Sequence, residues 1–110
     1  MFVDTWKELQ QQVHENAVNK KFWDEHHGQH TSACQLMLVV CEVAEAVEAL
    51  RNGNPKSEKI PEFSHVEEEL ADAVIRIMDF AEGNKLNVAQ AILDKITYNL
   101  RRPAMHGKNF

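Results

Sequence analysis

The sequence predicts an all-α protein, a four-helix bundle-type subunit that assembles into a homo-oligomer. Three observations lead there. Four candidate helix starts carry the spacing of a capping box, in which the N-cap side chain and the side chain three residues on satisfy each other's free amides. They are Thr5 with Glu8, Ser32 with Gln35, Ser64 with Glu67 and, as an Asn variant, Asn87 with Gln90. Each is followed by helical periodicity, and no stretch carries the signals of a strand. The 110 residues hold only three prolines and four glycines, which leaves room for long uninterrupted helices.

The first helix is predicted from about Asp4 to about Lys20, with Phe2, Trp6, Leu9, Val13 and Ala17 forming one apolar stripe. The second runs from about Ser32 to Arg51. It is stopped by Asn52-Gly53-Asn54-Pro55, where Gly suits the left-handed position and Pro blocks continuation. The third runs from about His65 to Glu82 and stops at Gly83-Asn84. The fourth runs from about Val88 to Arg101, since Pro103 disfavours helical geometry at Arg102. In the second helix, Leu36 to Cys41 place apolar side chains around the whole circumference. Three other helices can cover only part of that, so a second subunit is expected against it, in a homodimer or homotetramer.

Length and composition fit one compact domain over residues 1–110, with 44% hydrophobic and 26% charged residues. A formal net charge of −5 argues against a partner such as a nucleic acid polymer held by a basic surface. It leaves small anions open, because a bound cation reverses the local sign. Cys34 and Cys41 are two helical turns apart in the most apolar stretch and read as small buried hydrophobes in a reducing compartment. No signal peptide is visible, and no apolar run approaches the roughly 20 residues that span a bilayer. No membrane partner is therefore expected, and the expected localisation is cytoplasmic.

Into its apolar stretch the second helix places Glu42 and Glu45, three apart and so on one face. The third helix repeats the device with Glu69 and Asp72. If the two helices pack antiparallel, four carboxylates converge. Such a cluster repels itself unless a cation resolves it, and an all-oxygen shell selects Mg²⁺, with Mn²⁺ as a substitute, or Ca²⁺ over zinc. Mg²⁺ keeps waters and is commonly completed by substrate phosphates, which points to metal-assisted phosphoanhydride hydrolysis. The plainer alternative is solvated helix surface, since acids in the first turns of a helix favour its dipole.

Glu42-Val43-Ala44-Glu45 followed by Glu69-Leu70-Ala71-Asp72 resembles the signature of the MazG-like, all-α nucleoside triphosphate pyrophosphatases. The segment Lys95 to Asn99, followed by Arg101-Arg102-Pro103 and His106-Gly107-Lys108, resembles that family's C-terminal phosphate-handling region. The likeness covers about Ser32 to the C-terminus. It implies a Mg²⁺-dependent enzyme that cleaves a nucleoside triphosphate between its α- and β-phosphates, in a dimer or tetramer of helical bundles. It implies metal ligation by Glu42, Glu45, Glu69 and Asp72, with a catalytic glutamate, Glu42 or Glu45, orienting or deprotonating water. Lys95 and Asn99 would contact phosphate or sugar, with Arg76, Arg102 and Lys108 as further substrate contacts. Arg76 read plainly is an ion pair with Asp72 or Asp79.

Trp23 with His26, His27 and His30 makes an aromatic, His-rich linker. It reads either as a base-stacking wall over a nucleotide, with Trp23 and His26 touching substrate, or as a surface loop with Trp23 docked on the core. Glu62 and His65 give a single Glu-x-x-His, where a di-iron bundle needs two. No Walker loop, Rossmann glycine pattern or nucleophile elbow is present. The expected function is nucleotide-pool housecleaning by pyrophosphohydrolysis. The alternatives are a non-catalytic metal- or nucleotide-binding helical oligomer and a purely structural one.

Overall fold

The computed structural model describes residues 1–20, 23 and 31–102. Among them the chain is all-helical: α1 spans Phe2–Asn19, α2 Ser32–Arg51, α3 His65–Gly83 and α4 Val88–Leu100. The described residues include no strand, only an isolated bridge between Lys56 and Ser64. Among the described residues no helix is long and apolar enough to cross a membrane.

The caps explain where the helices begin. Ser64 and Glu67 form the expected capping box: Ser64 Oγ accepts from Glu67 N at 3.2 Å, and Glu67 Oε1 accepts from Ser64 N at 2.9 Å. Asn87 Oδ1 accepts from Gln90 N at 3.3 Å, but the Gln90 side chain donates to Asp94 instead of returning to the cap. The other two expectations are corrected. At α2 the cap is Thr31, whose Oγ1 accepts from Cys34 N, and Ser32 is already helical. At α1 the N-cap is Met1, and Thr5 N bonds Met1 O, so Thr5 lies inside the first turn. Gly53 takes the left-handed conformation at φ 83°, as the end of α2 requires. Gly83 does something else. It is the last residue of α3, and a Cβ there would overlap the Trp23 ring at Cη2 and Cζ2. The glycine clears space for an indole.

α3 is the shared wall of the structure. It packs along α2 on one side and α1 on another, while α4 returns against α1. Glu42 meets Arg76 and Glu45 meets Glu69, so α2 and α3 run antiparallel. The small side chains Ala46, Ala49, Ala73 and Ala81 are buried with Met78, Ala17 and Ala89. Polar bonds join α1 to α3: Trp6 Nε1 donates to Gln10 Oε1, and the buried Gln10 donates to Glu82 Oε1, each at 3.0 Å.

The core is notable for what it omits. Leu36, Val40, Val43, Val47 and Leu50 are exposed along α2, the last at 60%. Their spacing alternates four and three residues, the heptad seam of helices that pack on one another. Among the described residues only one side of α2 is covered, and Cys34 and Cys41 are exposed thiols, not the buried hydrophobes the sequence predicts.

Candidate functional site

Helical spacing puts one row of α3 side chains, His65, Glu69, Asp72, Arg76 and Asp79, on the face turned toward a cleft of about 980 Å³. Glu42, Glu45 and Leu38 of α2 line the opposite wall. Val13 and Ala17 of α1 and the α2–α3 connection with Lys56, Glu58 and Lys59 complete it. The carboxylate pairs predicted from spacing therefore meet. Ligand-capable oxygens of Glu42, Glu69 and Asp72 lie within 4.8 Å of one another, and a second grouping joins Glu69 to Glu68 and His65.

Burial makes this arrangement costly for bare carboxylates. Glu69 is 5% exposed and Glu42 8%. Burial, reinforced by the adjacent Glu45, Glu42 and Asp72, pushes Glu69 up to about 7. Burial also raises Glu42, against a lowering hydrogen bond from Arg76. Glu45 is exposed and is held below the usual carboxylate range by its hydrogen bonds with Glu69 and Glu42. The side-chain partner of buried Glu69 is thus another carboxylate, so the two share a proton or a cation. Oxygens of Glu42, Glu69 and Asp72 at this separation, with Glu45 beside them, are a donor set that could hold a hard cation.

Arg76 does not pair with Asp72 or Asp79. Its Nε donates to Glu42 Oε1 at 3.0 Å. Asp79 is engaged elsewhere: its Oδ1 accepts from Trp23 Nε1 and lies against His14 Nδ1, each at 2.8 Å. The Trp23 ring stands edge-on to His14 with centroids 4.9 Å apart. Trp23 is accordingly docked on α3, and it also lines the cleft. His26 and Lys108 lie outside the described residues, as do His27 and His30.

Lys95 and Asn99 are not among the cleft residues of their own chain. Lys95 Nζ sits 4.6 Å from the centroid of the Tyr98 ring, and the Arg102 guanidinium 5.5 Å from it, so both cations rest on α4's own aromatic residue. The sequence reading missed the connection between α2 and α3. Ser57, 2% exposed, donates from Oγ to Glu68 Oε1 at 2.6 Å and accepts from the amides of Lys59 and Ile60. His65 was weighed only as half of a di-iron motif and Glu68 was not singled out as a ligand, although His65 lies one turn before Glu69 and so shares its face. No protein-family model, curated protein or solved structure matches this chain.

Proposed function

We propose that this protein is a Mg²⁺-dependent nucleoside triphosphate pyrophosphohydrolase of the MazG-like, all-α kind, releasing a nucleoside monophosphate and pyrophosphate. The observation that carries the reading is the convergence of Glu42, Glu69 and Asp72 oxygens within 4.8 Å on the wall of a nucleotide-sized cleft. Buried Glu69 is bordered by other carboxylates, a standing cost that a bound cation would relieve. Bound there, Mg²⁺ (or Mn²⁺) supplies charge neutralisation for phosphate oxygens and acidifies water.

The chain's own residues then have separate tasks. Glu45 lines the cleft as an exposed carboxylate beside Glu42 and Glu69, which suits it to orient the attacking water or accept its proton. Glu42 is oriented by Arg76, which lines the cleft and has further guanidinium donors suited to phosphate oxygens. The Trp23 face offers a stacking surface for a base. Lys95, Asn99 and Arg102 belong to this reading as contacts supplied by a neighbouring subunit, because in one chain Lys95 and Asn99 lie outside the cleft.

A homodimer or homotetramer is part of the proposal. The heptad-spaced stripe from Leu36 to Leu50 is an unmet helix-packing face. The radius of gyration, 16.4 Å, exceeds the about 13 Å of a self-contained chain of 100 residues. Free thiols at Cys34 and Cys41 fit a cytoplasmic setting. The test is a nucleoside triphosphate panel with Mg²⁺, assayed for pyrophosphate. Release that stops on chelation is the expected result. Metal binding without release on any substrate would leave a binding module, and no metal binding would leave a structural oligomer.

A further inference from the structure

We infer that Lys56 and Lys59, on the connection between α2 and α3, hold the terminal phosphates of the polyphosphate substrate and its pyrophosphate product, an inference that rests on the hydrolytic reading above. The cleft has two unlike ends. From Asp79 to His65, α3 runs about 21 Å at 1.5 Å per residue, with Asp72 and Glu69 between them. The Asp79 end carries Trp23, Phe80 and Ile75, and its carboxylate already serves His14 and Trp23. It is aromatic and acidic, a poor place for a polyanion. The His65 end carries Lys56 and Lys59. A triphosphate whose cleaved bond lies at the Glu42, Glu69 and Asp72 cluster therefore extends its outer phosphates toward the lysines and its base toward Trp23.

The connection is built to hold these lysines in place. Buried Ser57 sits between them, bonded to Glu68 and to the Lys59 and Ile60 amides, while Ser57 N donates to Phe63 O and His65 N to Pro55 O. Asn54 Oδ1 accepts from Val66 N at 2.9 Å, tying the connection to the first turn of α3. The backbone is fixed while the ammonium groups stay available. Lys59 Nζ is 3.9 Å from Glu68 Oε2 on a side chain 83% exposed, and Lys56 makes no ion pair among the described residues. The other oxygen of Glu68 is engaged by Ser57. Glu58 lines the same end, so the lysines also offset local negative charge.

The test compares wild type with the K56M/K59M double variant and the charge-keeping K56R/K59R variant, each checked for an unchanged helical spectrum and thermal midpoint. The readouts are product inhibition by inorganic pyrophosphate and, separately, by nucleoside monophosphate, both with Mg²⁺. K56M/K59M is expected to weaken pyrophosphate inhibition by roughly tenfold or more, the scale of lost charge-assisted contacts. Monophosphate inhibition should hold, and K56R/K59R should restore most of the difference. Unchanged pyrophosphate inhibition in K56M/K59M, or equal weakening toward both products, overturns the inference and leaves the hydrolytic reading intact. If wild type hydrolyses nothing, the hydrolytic reading fails by itself. Calorimetric titration of Mg²⁺-pyrophosphate into the same proteins then decides the lysines: binding lost only in K56M/K59M sustains them as a polyphosphate site, and equal or absent binding overturns it.

Discussion

Glu69 is the residue on which the site turns, because its carboxyl is buried and bordered by Glu45, Glu42 and Asp72. Its folded pKa, about 7, stands above the 4.5 of an ordinary glutamate. Between those two values the unfolded chain has already released the proton that the folded chain keeps. Stability of the metal-free protein should therefore fall as pH rises from 4.5 toward 7. The size is on the order of 3 kcal/mol, with Glu42 shifting the same way, Glu45 the other way, and solvent relaxing part of the cost. Denaturant titrations in chelator across this range check it, and added Mg²⁺ should flatten the slope. Glu69→Gln removes the repelling charge, so it should raise metal-free stability at pH 7 while weakening Mg²⁺ binding. A variant that binds Mg²⁺ as wild type does would remove Glu69 from the ligand set. Arg76→Met leaves Glu42 buried without its cation. It should cost about 1–2 kcal/mol, less than a fully buried pair because Arg76 reaches solvent.

At the scale of elements, the connection between α2 and α3 and the end of α3 carry consequences that spacing alone does not reveal. Ser57→Ala strands a buried Glu68 oxygen and should cost about 1–3 kcal/mol in chemical denaturation. A cost near zero would mean that the connection is not anchored through this hydroxyl. Gly83→Ala improves helix propensity by about 1 kcal/mol on its own terms, yet its Cβ overlaps the Trp23 ring. It should destabilise the protein and expose the indole, seen as a red shift in Trp23 emission in a Trp6→Phe background. The pairs Glu42/Glu45 and Glu69/Asp72 were legible because a three-residue spacing fixes a shared face, whatever surrounds it. So were the Ser64 and Asn87 caps, whose chemistry is local. Thr31 and Met1 displaced the predicted caps because neighbouring residues can serve the same free amides. The exposure of Cys34 and Cys41 was not legible, since apolar sequence does not say which chain will cover it. Ser57 and the loop lysines were missed because irregular backbone has no period to read. Lys95 and Asn99 share a face of α4 as expected, but that face does not reach the cleft of its own chain.

At the scale of the whole molecule, the described residues bury alanines and leave Leu36, Val40, Val43, Val47 and Leu50 exposed. Sedimentation at micromolar concentration should give a multiple of the chain mass, and Val43→Asp with Val47→Asp should lower it by placing charges in the helix seam. A monomer mass for wild type would remove the assembly and, with it, the route by which Lys95 and Asn99 reach substrate. The central claim is chemical, and product analysis tests it most directly. With a nucleoside triphosphate and Mg²⁺, the protein should release monophosphate and pyrophosphate in equal amounts, stop on chelation, and lose this activity in Glu69→Gln. Orthophosphate as the first product, or no turnover across the nucleotide panel at saturating Mg²⁺, would contradict the account.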